Sequence, residues 1–198
     1  MKKSIKATSI LEAMIVLLII VTWIIGLYNI FNESLKLSET TKNRIEAIEI
    51  AREWIEAMKN IRDTNWLMFG WDTKNCFNTF NYNPQCVWNI PWAIYIWNKS
   101  YKIYQNNINY KWYLEEKSPW NFNTPTYRNN FRVYRDSNGY YTQSWTTNPT
   151  IFTREIQVSY PSSIDKMQIK SIVNWSDSSK KWVHKVELND LITNWKQD

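Results

Sequence analysis

The sequence predicts an α+β chain: one long N-terminal helix, transmembrane then amphipathic, packed on a C-terminal antiparallel β-sheet head. Three observations carry this. Ile10 to Phe31 is an apolar run behind Lys2, Lys3 and Lys6. Ile45, Ile48, Ala51, Ile55, Met58 and Ile61 then recur at three- and four-residue steps, the stripe of an amphipathic helix. Beyond about Asp63 the apolar period shortens to two, with turn-formers between the runs, which is the pattern of strands.

The first element is long enough to cross a bilayer, which takes about 20 apolar residues. Lysines on its leading flank place that flank in the cytoplasm. A secretory signal would have a shorter apolar region, roughly 7–15 residues, and a small-x-small cleavage site after it; neither is present. Glu12 is the odd residue. A charged side chain in hydrocarbon costs at least ~2.5 kcal/mol and marks a functional position. A bare membrane anchor is the competing reading, and it gains nothing from Glu12 beyond a carboxylate that snorkels toward water.

The stretch Lys6-Ala7-Thr8-Ser9-Ile10-Leu11-Glu12, followed by Ala13-Met14-Ile15-Val16-Leu17-Leu18, resembles the prepilin signal of type IV pilins and type II secretion pseudopilins. The resemblance implies a basic leader, residues 1–7, removed after Ala7 by a dedicated membrane peptidase. Thr8 is then the first mature residue and the N-methylation site, and Glu12 is the fifth, the subunit-assembly residue. Ala stands where Gly is usual, and Thr where Phe is common. Residues 8–31 form the transmembrane half of the helix, 32–62 the amphipathic half, and 63–198 the β-rich head.

No proline precedes Pro84, so one helix from Ser9 to about Arg62 would run ~80 Å at 1.5 Å per residue. Glu49 with Arg52 and Glu56 with Lys59 are favourable neighbours on its polar face, against the like pair Glu49 and Glu53. Gly26 is the weak point, at a cost of about 0.5–1 kcal/mol, and the resemblance implies loosening there on assembly. The segment Ala51 to Trp66, with its exit Asn60-Ile61-Arg62-Asp63, is similar to pilin-like proteins of small-genome bacteria.

In the head, Val87 to Trp97 reads as a strand interrupted at Pro91. Phe131–Arg135, the turn Asp136-Ser137-Asn138-Gly139 and Tyr140–Gln143 read as a hairpin. Phe152, Ile156, Val158 and Tyr160 alternate, with Arg154 interrupting the apolar face; Met167, Ile169, Ser171, Val173 and Trp175 alternate fully; Val183 to Leu188 returns after a polar turn. Residues Asn98 to Tyr127 give no clear pattern.

Cys76 and Cys86 fall in a region placed outside the cytoplasm, where disulfides persist. A bond between them is expected, stabilising by about 2–3 kcal/mol. Zinc would need more soft ligands than this pair and the single, distant His184. Free thiols are the remaining case.

The composition is unusual: 13 Trp and only 3 Gly. Average usage, about 7% Gly, would give roughly fourteen glycines. Several Trp stand where turns want Gly, as in Pro119-Trp120-Asn121, Trp97-Asn98, Ser144-Trp145 and Lys181-Trp182, and Trp54 stands where similar proteins tend to have Gly. A subset is therefore expected to be glycine specified by a recoded UGA codon; Trp66, Trp175 and Trp195 are expected to be genuine, because similar proteins carry Trp in comparable Asn-Trp contexts. A Trp-rich carbohydrate- or surface-binding head is the alternative. The intact mass of the native protein is expected to fall short of the thirteen-Trp value by a whole number of Trp-to-Gly differences; a mass matching thirteen Trp excludes recoding.

Catalytic and cofactor signatures are lacking: no phosphate-cradling Gly-rich loop, no Gly-x-Ser-x-Gly elbow. His184 reads as a partly exposed structural residue, and Asp136–Gly139 as a hairpin turn and not a calcium loop. The expectation is a non-enzyme without cofactor or metal. Net charge is +6; from Asp63 onward 15 basic face 11 acidic side chains, with Lys180, Lys181, Lys185 and Lys196 near the C-terminus. A solvated excess accounts for this better than nucleic-acid binding. The resemblance implies a structural subunit of a type IV pilus-like or pseudopilus filament. Its partners are like subunits, the prepilin peptidase, membrane lipid, and an assembly platform with its ATPase. It would be single-pass in the cytoplasmic membrane, then part of a cell-surface filament. The alternative is a minor or tip pilin, or a tethered adhesin, binding glycan or DNA.

Overall fold

Helix α1 spans Ile10–Met68, in a computed structural model that describes residues 10–88, 95–106, 108–117, 124–144, 148–161, 165–176 and 183–195. The chain divides into two units, Met1–Arg44 and Ile45–Asp198. In the first, the described residues are one helix with nearly every side chain exposed. It runs unbroken through Gly26, and Thr22 returns its hydroxyl to the Leu18 and Ile19 carbonyls. That back-bonding satisfies the Thr22 hydroxyl within the apolar run.

In the second unit the helix buries Ala47, Ile50, Ala51, Trp54, Ala57, Met58 and Ile61. The stripe is rotated from the expected one at its start: Ile45 is exposed and Ile48 half-buried. The helix also runs past Arg62. Asn65 Nδ2 donates to the Phe77 and Thr79 carbonyls, and Trp66 Nε1 donates to Asn194 Oδ1. These bonds hold one further helical turn against the following chain.

Seven antiparallel strands follow: β1 Ser100–Gln105, β2 Trp112–Lys117, β3 Arg132–Arg135, β4 Tyr141–Thr142, β5 Asn148–Ser159, β6 Lys166–Ser176 and β7 Val183–Thr193. Long β5 pairs with β6 along one side (Phe152↔Trp175 through Ser159↔Gln168), and β6 with β7. Its other side is shared: β3 takes Asn148 to Thr153, and β1 takes Ile156 and Gln157. The sheet therefore forks. Gln143 fills the root of the fork: its Oε1 accepts from Ile103 N, and its Nε2 donates to the Phe131 and Arg154 carbonyls.

The expected alternation in β6 is present, with Met167, Ile169, Ser171, Val173 and Trp175 all buried. The 136–139 turn forms with Gly139 at φ 86°, a conformation glycine adopts without cost. Val87 departs from expectation: the short helix α2, Thr73–Cys76, leads into the Cys76–Cys86 bridge, and Val87 lies beside it in a 3-10 turn, Pro84–Trp88. Residues 89–94 of that expected strand are outside the described residues. The patternless stretch supplies the hairpin β1–β2 and helix α3, Pro125–Phe131, capped by Thr124 with Pro125 in its first turn. Helix α3 covers the sheet face opposite α1. Tyr127 there donates to buried Glu155, which also accepts from Ser100 and Gln157.

The outer edge of β2 is closed by the disulfide loop. Asn81, at φ 52°, accepts from Leu114 N and donates to Leu114 O, and Tyr82 OH donates to Trp112 O. A side-chain amide thus replaces a neighbouring strand and removes an edge open to mispairing.

Burial fixes the alkaline behaviour. It pushes the Tyr82 and Tyr101 phenols up to about 12, and those of Tyr127 and Tyr160 further still, Glu155 adding to the rise at Tyr127. Unfolded tyrosine ionises near 10. Between pH ~10 and ~12 the unfolded chain loses protons the folded one keeps, so stability present below pH 10 falls as pH rises. Each tyrosine contributes about 1.4 kcal/mol per pH unit. Buried Arg154, its pKa lowered by burial, acts oppositely and offsets one of the four. Thermal melts of the head are expected to hold to about pH 9–10 and fall steeply above it, with tyrosinate absorbance rising together with unfolding. Tyrosinate formation centred near pH 10 with the fold intact is the contrary result.

Candidate functional site

Glu12 lies in the first turn of α1, where a carboxylate is favoured by the helix dipole. Ile15 and Val16, one turn on, are exposed, as are Leu17 to Val21. Among the described residues Glu12 has no ion-pair partner. An ionisable group on a bare apolar helix makes sense when the helix enters an apolar phase and a cation meets the carboxylate there. Ala7 and Thr8, the expected processing residues, lie outside the described residues, as do Lys2, Lys3 and Lys6. One described helix is long and apolar enough to cross a membrane. That is compatible with a single-pass membrane protein.

Cys76 and Cys86 are joined, with Cα atoms 5.2 Å apart. The bridge packs against Phe69, Val87 and Tyr95 and anchors the Asn81–Tyr82 cap on β2.

On the head, Arg154 is not an interruption of the apolar face but part of the core. Its side chain is 1% exposed, its Nη1 meets Glu53 Oε2 at 2.9 Å, and its guanidinium lies 3.3 Å from the centroid of the Trp54 ring. Trp54 is fully buried and its Nε1 has no partner. Of the Trp expected to be genuine, Trp66 and Trp175 are buried, and Trp195 meets Trp66 edge-on at 5.1 Å. Trp120, Trp145 and Trp182 are outside the described residues. Toward the start of the same unit, Glu46 Oε1 accepts from Arg135 Nη2 at 2.7 Å and from Tyr141 OH.

His184 stacks on Trp175 at 5.3 Å. Lys185 pairs with Glu187; Lys180, Lys181 and Lys196 are outside the described residues. Among the described residues no three His, Cys, Asp or Glu side chains gather as a metal-holding group.

No protein-family model, curated protein or solved structure matches the chain. A long N-terminal apolar helix followed by an antiparallel sheet, with a disulfide in the head, is compatible with a pilin-like architecture.

Proposed function

We propose that this chain is a structural subunit of a type IV pilus-like or pseudopilus filament. Glu12 carries the reading: one carboxylate, six residues past a lysine, on the exposed apolar face of α1. The leader, residues 1–7, is removed after Ala7 by a prepilin peptidase, and Thr8 becomes the N-methylated terminus. Glu12 of one subunit pairs with the α-ammonium of its neighbour, so that two ions costly in hydrocarbon become one pair. Lysines on the cytoplasmic flank set a single-pass orientation before assembly; the head, with its disulfide, faces the cell exterior. An assembly platform and its ATPase drive extrusion.

Membrane-extracted protein sequenced from its N-terminus is expected to begin at Thr8, methylated. Assembled material beginning at Met1 makes the segment a plain anchor.

A further inference from the structure

The fork in the sheet opens a cleft of about 280 Å³, lined by Glu53 and Arg154 on the floor and by Tyr104, Gln105, Tyr140 and Ser144 around the rim. That is just under the size range of small-molecule clefts, roughly 300–1,000 Å³, so its occupant is small, about one or two rings.

The floor has an unusual donor–acceptor arrangement. Arg154 spends Nη1 on the Ile50 carbonyl and Glu53 Oε2. Its Nε has no partner, and none of the described groups takes Nη2. Glu53 uses Oε2 for the pair, which leaves Oε1 for a ligand. The guanidinium is held by its Nη1 bonds to Glu53 and the Ile50 carbonyl, with the Trp54 ring 3.3 Å from it. A buried cation with open donors gains from a further acceptor, and a ligand oxygen at Nη2 would supply one. The charges of Arg154 and Glu53 cancel, so the floor does not select an ion. It presents a fixed donor beside a fixed acceptor, the complement of two neighbouring hydroxyls that each give and take a hydrogen bond. The rim adds an aromatic face: Tyr140 is 73% exposed, and Tyr104 is held by stacking on Tyr113. Gln105 and Ser144 add neutral polar groups, and Asp136 also lines the cleft, its Oδ1 already accepting from Asn138 N and Tyr140 N in the turn.

We propose that this cleft binds a neutral saccharide, one ring seated with vicinal hydroxyls on the Arg154–Glu53 pair and an apolar face against Tyr140. The site is independent of filament assembly, since a membrane-anchored head would carry it equally, and failure of one reading leaves the other standing.

The test uses the full chain in a zwitterionic detergent without sugar groups. Glucose, galactose, mannose, N-acetylglucosamine and their common disaccharides are titrated and followed by saturation-transfer difference NMR, with acetate and tetramethylammonium as charged controls. At least one neutral sugar is expected to bind. Tyr140→Ala should weaken it about tenfold, Gln105→Ala less, and Tyr140→Phe should bind like wild type. Both truncated side chains are at the rim, outside the core, so the fold is not at stake. The proposal is overturned if no sugar of the panel binds, if Tyr140→Ala and Gln105→Ala both bind as wild type does, or if a charged control displaces the sugar.

Discussion

A chain truncated to begin at Leu35 will be soluble and melt cooperatively, whereas one beginning at Asn65 will aggregate. The shorter deletion removes the apolar run and keeps the whole unit Ile45–Asp198. The longer one also removes Ala47, Ile50, Ala51, Trp54, Ala57, Met58 and Ile61. Those side chains cover Tyr101, Ile103, Ile156, Val158 and Ile169 at one end of the sheet, and Val133, Phe152, Val173 and Trp175 at the other. Each large buried side chain contributes about 1.5–3 kcal/mol, so Ile50, Trp54, Met58 and Ile61 alone supply roughly 6–12 kcal/mol, comparable with the 5–15 kcal/mol typical of a whole domain. Arg154, almost without solvent exposure, would also lose Glu53, and breaking such a pair costs about 3–5 kcal/mol. What remains is a broad apolar sheet face, which associates. Equal solubility and equally cooperative melting of the two chains contradict the helix-on-sheet packing.

Elements with a strong local signal were readable. Strand β6 is readable because Met167, Ile169, Ser171, Val173 and Trp175 keep one face buried along its length, although Ile172 and Asn174 on the other face are buried as well. The 136–139 turn is readable because Asp, Asn and Gly each have a local job: Asp136 Oδ1 accepts from Asn138 N and Tyr140 N. What escaped depends on distant partners. Arg154 looked like a flaw in a strand because its counter-ion is 101 residues earlier. The extra turn of α1 is held by carbonyls at Phe77 and Thr79, which no helix signal anticipates. The β1–β2 hairpin hid because Tyr104 and Tyr113 pair on its outer face, blurring the alternation. Helix α3 did leave a signal, Thr124 followed by Pro125, in a segment too short for periodicity. The same contrast holds for function. Glu12 stands out as one charge in an apolar run. The cleft is assembled from α1, β1, β5 and the chain around β4, and no local pattern marks it.

Replacing Glu12 is expected to abolish assembly while sparing the steps before it. Glu12→Ala removes a charge from the apolar segment, so membrane insertion stays intact or becomes slightly easier. Cleavage after Ala7 is largely retained, since the resemblance assigns recognition to the leader and the small residue at the cut; methylation falls if the carboxylate positions the new terminus. Assembly then meets an unpaired cation. A neighbour's α-ammonium would enter a low-dielectric filament core alone, and stranding one member of a buried pair costs on the order of 3 kcal/mol or more. At 1.4 kcal/mol per factor of ten, each subunit contact weakens by about a hundredfold, and a filament multiplies that deficit at every step. Glu12→Gln separates charge from hydrogen bonding: it fails like Glu12→Ala if the ion pair is what matters, and assembles if an amide oxygen suffices. The measurement is the yield of sheared filaments alongside the ratio of mature to full-length protein in membranes. Wild-type filament yield from both variants, with processing unchanged, would leave Glu12 without a structural role and remove the main physical reason for reading this chain as a filament subunit.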